Sequence, residues 1–275
     1  MSCRRLGILG AFAFLPAFSQ VSSAPLMQDT MEKPAPHQHG PVRDLTDHGD
    51  GTSSSTNWSG YAVLGSSFTW AKGSWVVPTA TCSGVTRAEY ASFWVGLDGY
   101  NSSTVEQTGT DSDCLGSSPS YYAWYEFYPN PSMQIGSLAI SPGDVMSAYV
   151  YYSSTSNAFI VSITDVTTGQ TFSKGARVAN AVRSSAEWIA EAPCCTFGGG
   201  ILPLADFGTV NFGKDSTGVT GSNWAKDTSN TGPIGSFPAV NTILVDKTSS
   251  RTSPQTSTCS TLSSDGTSFS CTWAP

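Results

Sequence analysis

From Asn57 to the C-terminus, no stretch of this chain repeats its apolar residues at a helical period. Short runs alternate apolar with polar residues and are broken by Gly, Ser, Thr, Asn and Pro. An amphipathic helix needs apolar residues at i, i+3, i+4 and i+7, whereas a half-buried strand needs them at every second position. The pattern therefore predicts an all-β domain. Strands are expected at Gly60–Leu64, Phe68–Val77, Ala91–Leu97, Ser103–Thr108, Ser120–Tyr128, Val145–Tyr152, Ala158–Asp165, Thr171–Lys174, Ala186–Glu191, Leu204–Phe212 and Asn241–Val245. So many antiparallel strands over residues 53–275 fit one β-sandwich better than two domains.

The segment before that domain reads differently. Arg4 and Arg5 precede an apolar run from Leu6 to Phe18 and the small residues Val21-Ser22-Ser23-Ala24, the layout of a secretory signal over residues 1–23. The run is too short to span a bilayer. Residues 24–52 are rich in Pro, His, Asp and Gly without apolar periodicity, and read as a propeptide or flexible leader. Secretion leaves an extracellular chain with no membrane contact. Cys3 departs with the signal, leaving the even set Cys82, Cys114, Cys194, Cys195, Cys259 and Cys271. An even count in an exported chain points to disulfides. Cys259 and Cys271 bracket a Ser/Thr/Gly-rich segment that reads as a hairpin and form the favoured pair. The partners of Cys82, Cys114, Cys194 and Cys195 stay open. With no C-x-x-C pair, these sulfurs do not read as a zinc site.

Charge and histidine then narrow the chemistry. The formal charge is −7, and no cluster of Lys or Arg follows Arg5, so nucleic acid is not an expected partner. The three histidines, His37, His39 and His48, all lie in the leader, and residues 51–275 contain none. Unless the leader reaches in, the domain has no Ser-His-Asp or Cys-His catalysis, no His-ligated zinc and no His general base. Carboxylates, amides, hydroxyls and thiols remain. The histidines also suggest a switch, in which charging near pH 6.5 loosens a docked leader.

Period-two reading sorts three strands into faces. Phe93, Val95 and Leu97 oppose Trp94, Gly96 and Asp98. Ala123, Tyr125 and Phe127 oppose Tyr122, Trp124, Glu126 and Tyr128. Ala186, Trp188 and Ala190 oppose Glu187 and Glu191. Each strand thus offers one apolar face and one face mixing rings with acids, which suits a groove that grips an extended chain. Two mechanisms are open. Glycoside hydrolysis needs two carboxylates. Glu187 and Glu191, four residues apart on one strand and so roughly 13 Å distant, cannot be that pair, whereas a cross-strand pair such as Glu126 and Glu191 can. Peptide hydrolysis needs one carboxylate to activate water and a neutral donor for the oxyanion, a role that suits Gln107. A carbohydrate-binding module using the aromatic face without catalysis is the third reading.

The segments Asn57-Trp58-Ser59-Gly60-Tyr61, Phe93-Trp94-Val95-Gly96-Leu97-Asp98-Gly99, Val105-Glu106-Gln107-Thr108-Gly109, Ala123-Trp124-Tyr125-Glu126-Phe127-Tyr128-Pro129 and Ala186-Glu187-Trp188-Ile189-Ala190-Glu191 occur in one order. In that order the chain resembles the glutamic peptidases, the eqolisins. The resemblance implies an antiparallel sandwich of two bent sheets, concanavalin A-like or jelly-roll in type, and a metal-free and cofactor-free acid endopeptidase acting on polypeptide substrates as a monomer. It places the catalytic glutamine on Gln107 and the catalytic glutamate on Glu191, with Glu187 as the rival. It gives Trp58, Trp94, Asp98, Trp124, Glu126 and Tyr128 substrate-contact or supporting roles.

Overall fold

The computed structural model describes residues 32–84, 87–194, 200–245 and 255–275. The expected signal and Cys195 lie outside the described residues. Short strands β1 (Glu32–Pro34), β2 (Thr46–Asp47) and β3 (Thr52–Ser55) precede β4 (Trp58–Leu64), β5 (Trp70–Val76) and β6 (Ser92–Leu97). The longest pair follows, β7 (Val105–Leu115) and β8 (Ser118–Tyr128), then β9 (Met133–Ile135), β10 (Val145–Ser153), β11 (Ala158–Asp165), β12 (Gln170–Ala176) and β13 (Ser185–Glu191). The chain ends through β14 (Thr209–Phe212), the one-turn helix α1 (Lys214–Thr217), β15 (Trp224–Lys226), β16 (Thr231–Pro233), β17 (Ala239–Val245), β18 (Thr256–Cys259) and β19 (Phe269–Ala274).

Two sheets follow from the pairing. The first runs β1-β9-β8-β7-β6-β13-β4-β17, with β3 added parallel to β17 and β2 beyond it. The second runs β12-β11-β10-β5-β14-β19-β18, with β15 and β16 extending from β5. They meet where β17 pairs with β18. Among the described residues β12 does not pair with β1 or β9, so the ladder stays open at that end and the architecture is a β-sandwich, as expected. The main core lies between the sheets. Phe93, Val95 and Leu97 of β6, Ala123, Tyr125 and Phe127 of β8 and Ala186, Trp188 and Ala190 of β13 face Met146, Ala148 and Val150 of β10 and Phe159, Val161 and Ile163 of β11. Each large side chain removed from water there contributes about 1.5–3 kcal/mol.

β1 to β3, β9, β15 and β16 are not among the expected strands, and two expected strands have markedly different bounds. β7 runs on past Thr108 to Leu115, through polar residues, because it is paired on both sides and its polar groups find partners. The Trp75 indole donates to Thr110 Oγ1 at 2.9 Å, and Ser112 Oγ donates to the Pro78 carbonyl at 3.1 Å. The strand expected from Leu204 begins only at Thr209, because Gly208 turns the chain at φ +60° with its N–H on Asp206 Oδ1 at 2.9 Å. The hairpin expected near the C-terminus is present, with Cys259 opposite Cys271 and disulfide-bonded to it. The second disulfide joins Cys82 to Cys114 across 32 residues, a loop whose closure removes about 3–4 kcal/mol of unfolded-chain entropy in the chain-entropy model.

Candidate active site

The sheet containing β6, β7, β8 and β13 is buried on both faces. Its second face carries a separate apolar cluster of Trp58, Trp94, Val105, Trp124 and Ile189, edged by Val42, Tyr100, Tyr122 and Tyr128. The division of β6, β8 and β13 into two faces by period two therefore holds; the face opposite the main core is covered rather than solvated.

Register arranges this face in three rows. Glu187, Gly96, Gln107 and Glu126 stand side by side across β13, β6, β7 and β8. Ile189, Trp94, Gly109 and Trp124 form the next row, and Glu191, Ser92, Asp111 and Tyr122 the third. Gly109 lets the indoles close over the sheet, since a Cβ there would lie 2.3 Å from the Phe93 carbonyl and 2.6 Å from Trp94 Cβ.

Gln107 Nε2 donates to Glu126 Oε2 at 3.1 Å. Glu191 sits two rows away and receives the Trp94 indole N–H at Oε2, 2.8 Å, and Asn57 Nδ2 at Oε1, 3.4 Å. Burial pushes Glu191 up to about 8, against the opposing pull of the His39 charge and the Trp94 hydrogen bond. Glu187 is level with Gln107, but neither of its carboxylate oxygens has a hydrogen-bond partner. Burial holds it well above the usual carboxylate range, the nearby Ser185 hydroxyl opposes the shift, and Asp98 and Glu106 add to it. Of the two acids, only Glu191 has strong donors that favour its anion.

Asp98 turns away from the others. At φ +69° its carboxylate accepts the backbone N–H groups of Val182, Arg183 and Ser184 at 2.9, 2.7 and 2.9 Å, and so holds that loop against the sheet.

The leader covers the face. β1 pairs with β9, and Glu32 Oε2 meets Lys174 Nζ at 3.1 Å and the Tyr125 hydroxyl at 2.6 Å. The chain then crosses with bends at Pro36, His37 and Pro41 and a single bridge at Gln38. The Gln38 and Cys194 backbones exchange hydrogen bonds of 3.0 and 2.9 Å. The His39 N–H donates to Glu126 Oε2 at 2.9 Å, and the His39 carbonyl accepts from Gln107 Nε2. The Trp58 indole donates to the Gly40 carbonyl at 3.2 Å, and Asn57 Nδ2, the group that also reaches Glu191, donates to the Pro41 carbonyl at 3.1 Å. A segment without apolar periodicity is thus held by its backbone and by two histidines.

Those histidines supply what the domain lacks. The His39 ring stacks on Trp124 at 3.5 Å and 2°, with Nδ1 3.5 Å from Glu126 Oε2 and Nε2 3.4 Å from Asp111 Oδ1. His37 Nε2 bonds Asp111 Oδ2, beside the Tyr122 hydroxyl at 3.2 Å. The Trp124 indole and the Tyr122 hydroxyl donate to Asp111 at 2.7 and 2.6 Å. Burial opposes a charge on His39, yet Asp111 and Glu126 outweigh it and hold the ring up at about 10, while burial holds His37 below its ordinary value. A fall in pH through 6.5 therefore adds no charge to His39, and the expected loosening by its ionisation is not available. His48 is exposed.

Sequence reading missed Asp111, Asn57 and the leader histidines as members of this site. Asp111 was within reach: it lies four residues beyond Gln107 on the same face, and only the strand end placed at Thr108 hid it.

This sandwich, with its acid-and-indole face, defines a class. Residues 56–273 match the Peptidase A4 family, and the chain belongs to that family. It is 32% identical over 180 residues to aspergillopepsin-2 of Aspergillus niger, covering 58% of this chain and 62% of that protein. It is 34% identical over 140 residues to scytalidopepsin B of Scytalidium lignicola, covering 50% of this chain and 51% of that protein. The chain thus spans between half and two thirds of the curated relatives it matches. Its fold is similar to that of scytalido-glutamic peptidase, solved with a transition state analog inhibitor, at a TM-score of 0.63 and 26% identity, covering 80% of this chain and 98% of that one. The resemblance seen in the motifs is a family relationship.

Proposed function

We propose that the chain is a secreted acid endopeptidase of the glutamic type, held inactive by its own leader. Glu191 as carboxylate takes a proton from water, and that water attacks the scissile carbonyl. The Gln107 amide orients the water and donates to the developing oxyanion. Protonated Glu191 then returns its proton to the leaving amine. Trp94 and Asn57 steady the Glu191 anion, and Trp58, Trp124, Glu126 and Tyr128 line the path of the substrate.

The observation that carries this reading is the leader itself. A stretch of polypeptide already lies on this face, with the His39 carbonyl on Gln107 and the Pro41 carbonyl on the amide shared with Glu191. With the leader in place, Glu191 stays protonated up to about pH 8 and cannot serve as a base. Leader departure readmits water and returns the carboxyl toward the acidic range in which the enzyme works. The disulfides suit an exported chain, and no helix among the described residues is long and apolar enough to cross a membrane.

The test is incubation of the acid-matured chain with denatured protein and, separately, with soluble glucans at acidic pH. Peptides are expected. Reducing sugar instead, or neither product, overturns the proposal.

A further inference from the structure

We propose that leader and domain together form a binding site for one divalent transition-metal cation, with His37, His39 and Asp111 as its ligands. One donor atom from each of these buried residues lies within 4.8 Å of the others. His39 Nε2 is fully buried and has no hydrogen-bond partner, although Asp111 Oδ1 is only 3.4 Å away. The nitrogen and the oxygen are close but misaligned for a hydrogen bond. Their separation is that of two ligands on one tetrahedral ion, where bonds of about 2.0 Å put neighbouring donors roughly 3.3 Å apart.

A ligating imidazole is normally oriented through its other nitrogen by a carboxylate, and a ligating carboxylate by hydrogen-bond donors. Asp111 has its donors in place, and Glu126 Oε2 faces His39 Nδ1 at 3.5 Å, although neither that nitrogen nor His37 Nδ1 has a formed hydrogen bond. The Trp124 indole and the Tyr122 hydroxyl donate to the two Asp111 oxygens at 2.7 and 2.6 Å. Stacking on Trp124 fixes the plane of the His39 ring. The Tyr122 hydroxyl, 3.2 Å from His37 Nε2, stands beside the fourth position, which water can also fill. Two imidazoles and one carboxylate suit Zn²⁺ or Co²⁺ and not Mg²⁺ or Ca²⁺, which take oxygen ligands. The ion takes the place of the proton that Asp111 and Glu126 hold on His39 in the metal-free chain, and binding releases that proton to water.

Two ligands come from the leader and one from β7, so the ion is a clasp that fastens the leader over the face. It plays no part in peptide hydrolysis, and the site stands on its geometry whether or not Gln107 and Glu191 carry the chemistry.

The test uses the full chain with Glu191→Gln, which keeps the leader attached, titrated calorimetrically with Zn²⁺ near neutral pH. One Zn²⁺ per chain is expected. His37→Ala, His39→Ala and Asp111→Asn should each weaken binding by more than the roughly 10- to 100-fold that loss of an outer-shell partner costs, while His48→Ala leaves it unchanged. Co²⁺ should give the visible bands of a tetrahedral site in the parent and not in His39→Ala, with circular dichroism confirming that the variant is folded. Absence of Zn²⁺ binding, binding as tight as the parent's in the three ligand variants, or an unchanged Co²⁺ spectrum in folded His39→Ala overturns the proposal. None of these outcomes bears on whether the acid-matured chain cleaves peptides.

Discussion

The indole of Trp94, on the strand beside that of Glu191, donates its N–H to Glu191 Oε2 at 2.8 Å. A neutral donor of this kind stabilises the carboxylate and not the acid. Trp94→Phe keeps the ring and removes the donor, so the Glu191 pKa should rise. The acidic limb of kcat/KM, which reports ionisation of the base, should move to higher pH with it. A pH–rate profile of the leader-free enzyme measures the shift, and an acidic limb unchanged in Trp94→Phe separates the indole from the base.

Glu191→Gln and Gln107→Ala should each lower turnover by at least ~10²-fold, the scale of losing a general base or an oxyanion donor. Both variants should keep the wild-type circular dichroism spectrum. Near-normal hydrolysis by either one removes that residue from the mechanism. Glu187→Gln is the control for the rival acid and should retain most of the activity.

Covered by the leader, Glu191 is pushed up to about 8 by burial. In the leader-free enzyme the desolvation that raises it falls away, and the value should drop by more than one unit even though the His39 charge is lost as well. Isotope-edited infrared or carbon NMR titration of the glutamate carboxyls, before and after leader removal, reads the difference. An identical titration in both forms rules out masking of the base.

Buried acids set the dependence of stability on pH. Burial holds Glu106 and Glu187 well above their ordinary values, with Asp98 adding to both and Arg183 opposing at Glu106. A raised folded pKa means that the native state binds the proton more tightly, so the stabilisation is complete below the unfolded value near 4.5 and is lost as pH rises through the folded value. The domain should resist urea best below about pH 4.5 and progressively less as pH rises from there toward the folded values. Glu187→Gln, which keeps the neutral shape, should flatten that decline. A urea midpoint that climbs with pH contradicts the assignment.

A peptide of residues 32–47 added to leader-free enzyme should compete with substrate. Replacing His39 by Ala in that peptide removes the stack on Trp124 and the contacts with Asp111 and Glu126, and should weaken inhibition at least ~10-fold, or ~1.4 kcal/mol. Equal inhibition constants would show that the ring does not anchor the segment.

Much of the fold was legible because alternation is a direct consequence of the pleat. Phe93 and Trp94 part to opposite faces in the chain as they do in space, and the same holds for Tyr125 and Trp124. The Cys259–Cys271 hairpin was legible from its turn-rich interior. The polar half of β7 was not, since Asp111, Ser112 and Asp113 look like loop until β8 pairs with all three and β6 with Asp111. A docked leader was suggested by its histidines, but not its seat, which rests on backbone carbonyls meeting Gln107, Trp58 and Asn57. Backbone groups are the same in every residue and leave no mark on composition.

Cross-strand register makes Gln107 a matter of parity. A slip of β7 by one residue against β6 would turn Gln107 into the core and offer Glu106 to the opposite face, removing Gln107 from its row with Glu126 while leaving most of the ladder paired. Cys114, tied to Cys82 near the far end of that strand, stands against such a slip. The bond is thus an alignment pin as well as a brace, and a reductant would be expected to silence the enzyme before it melts the sandwich.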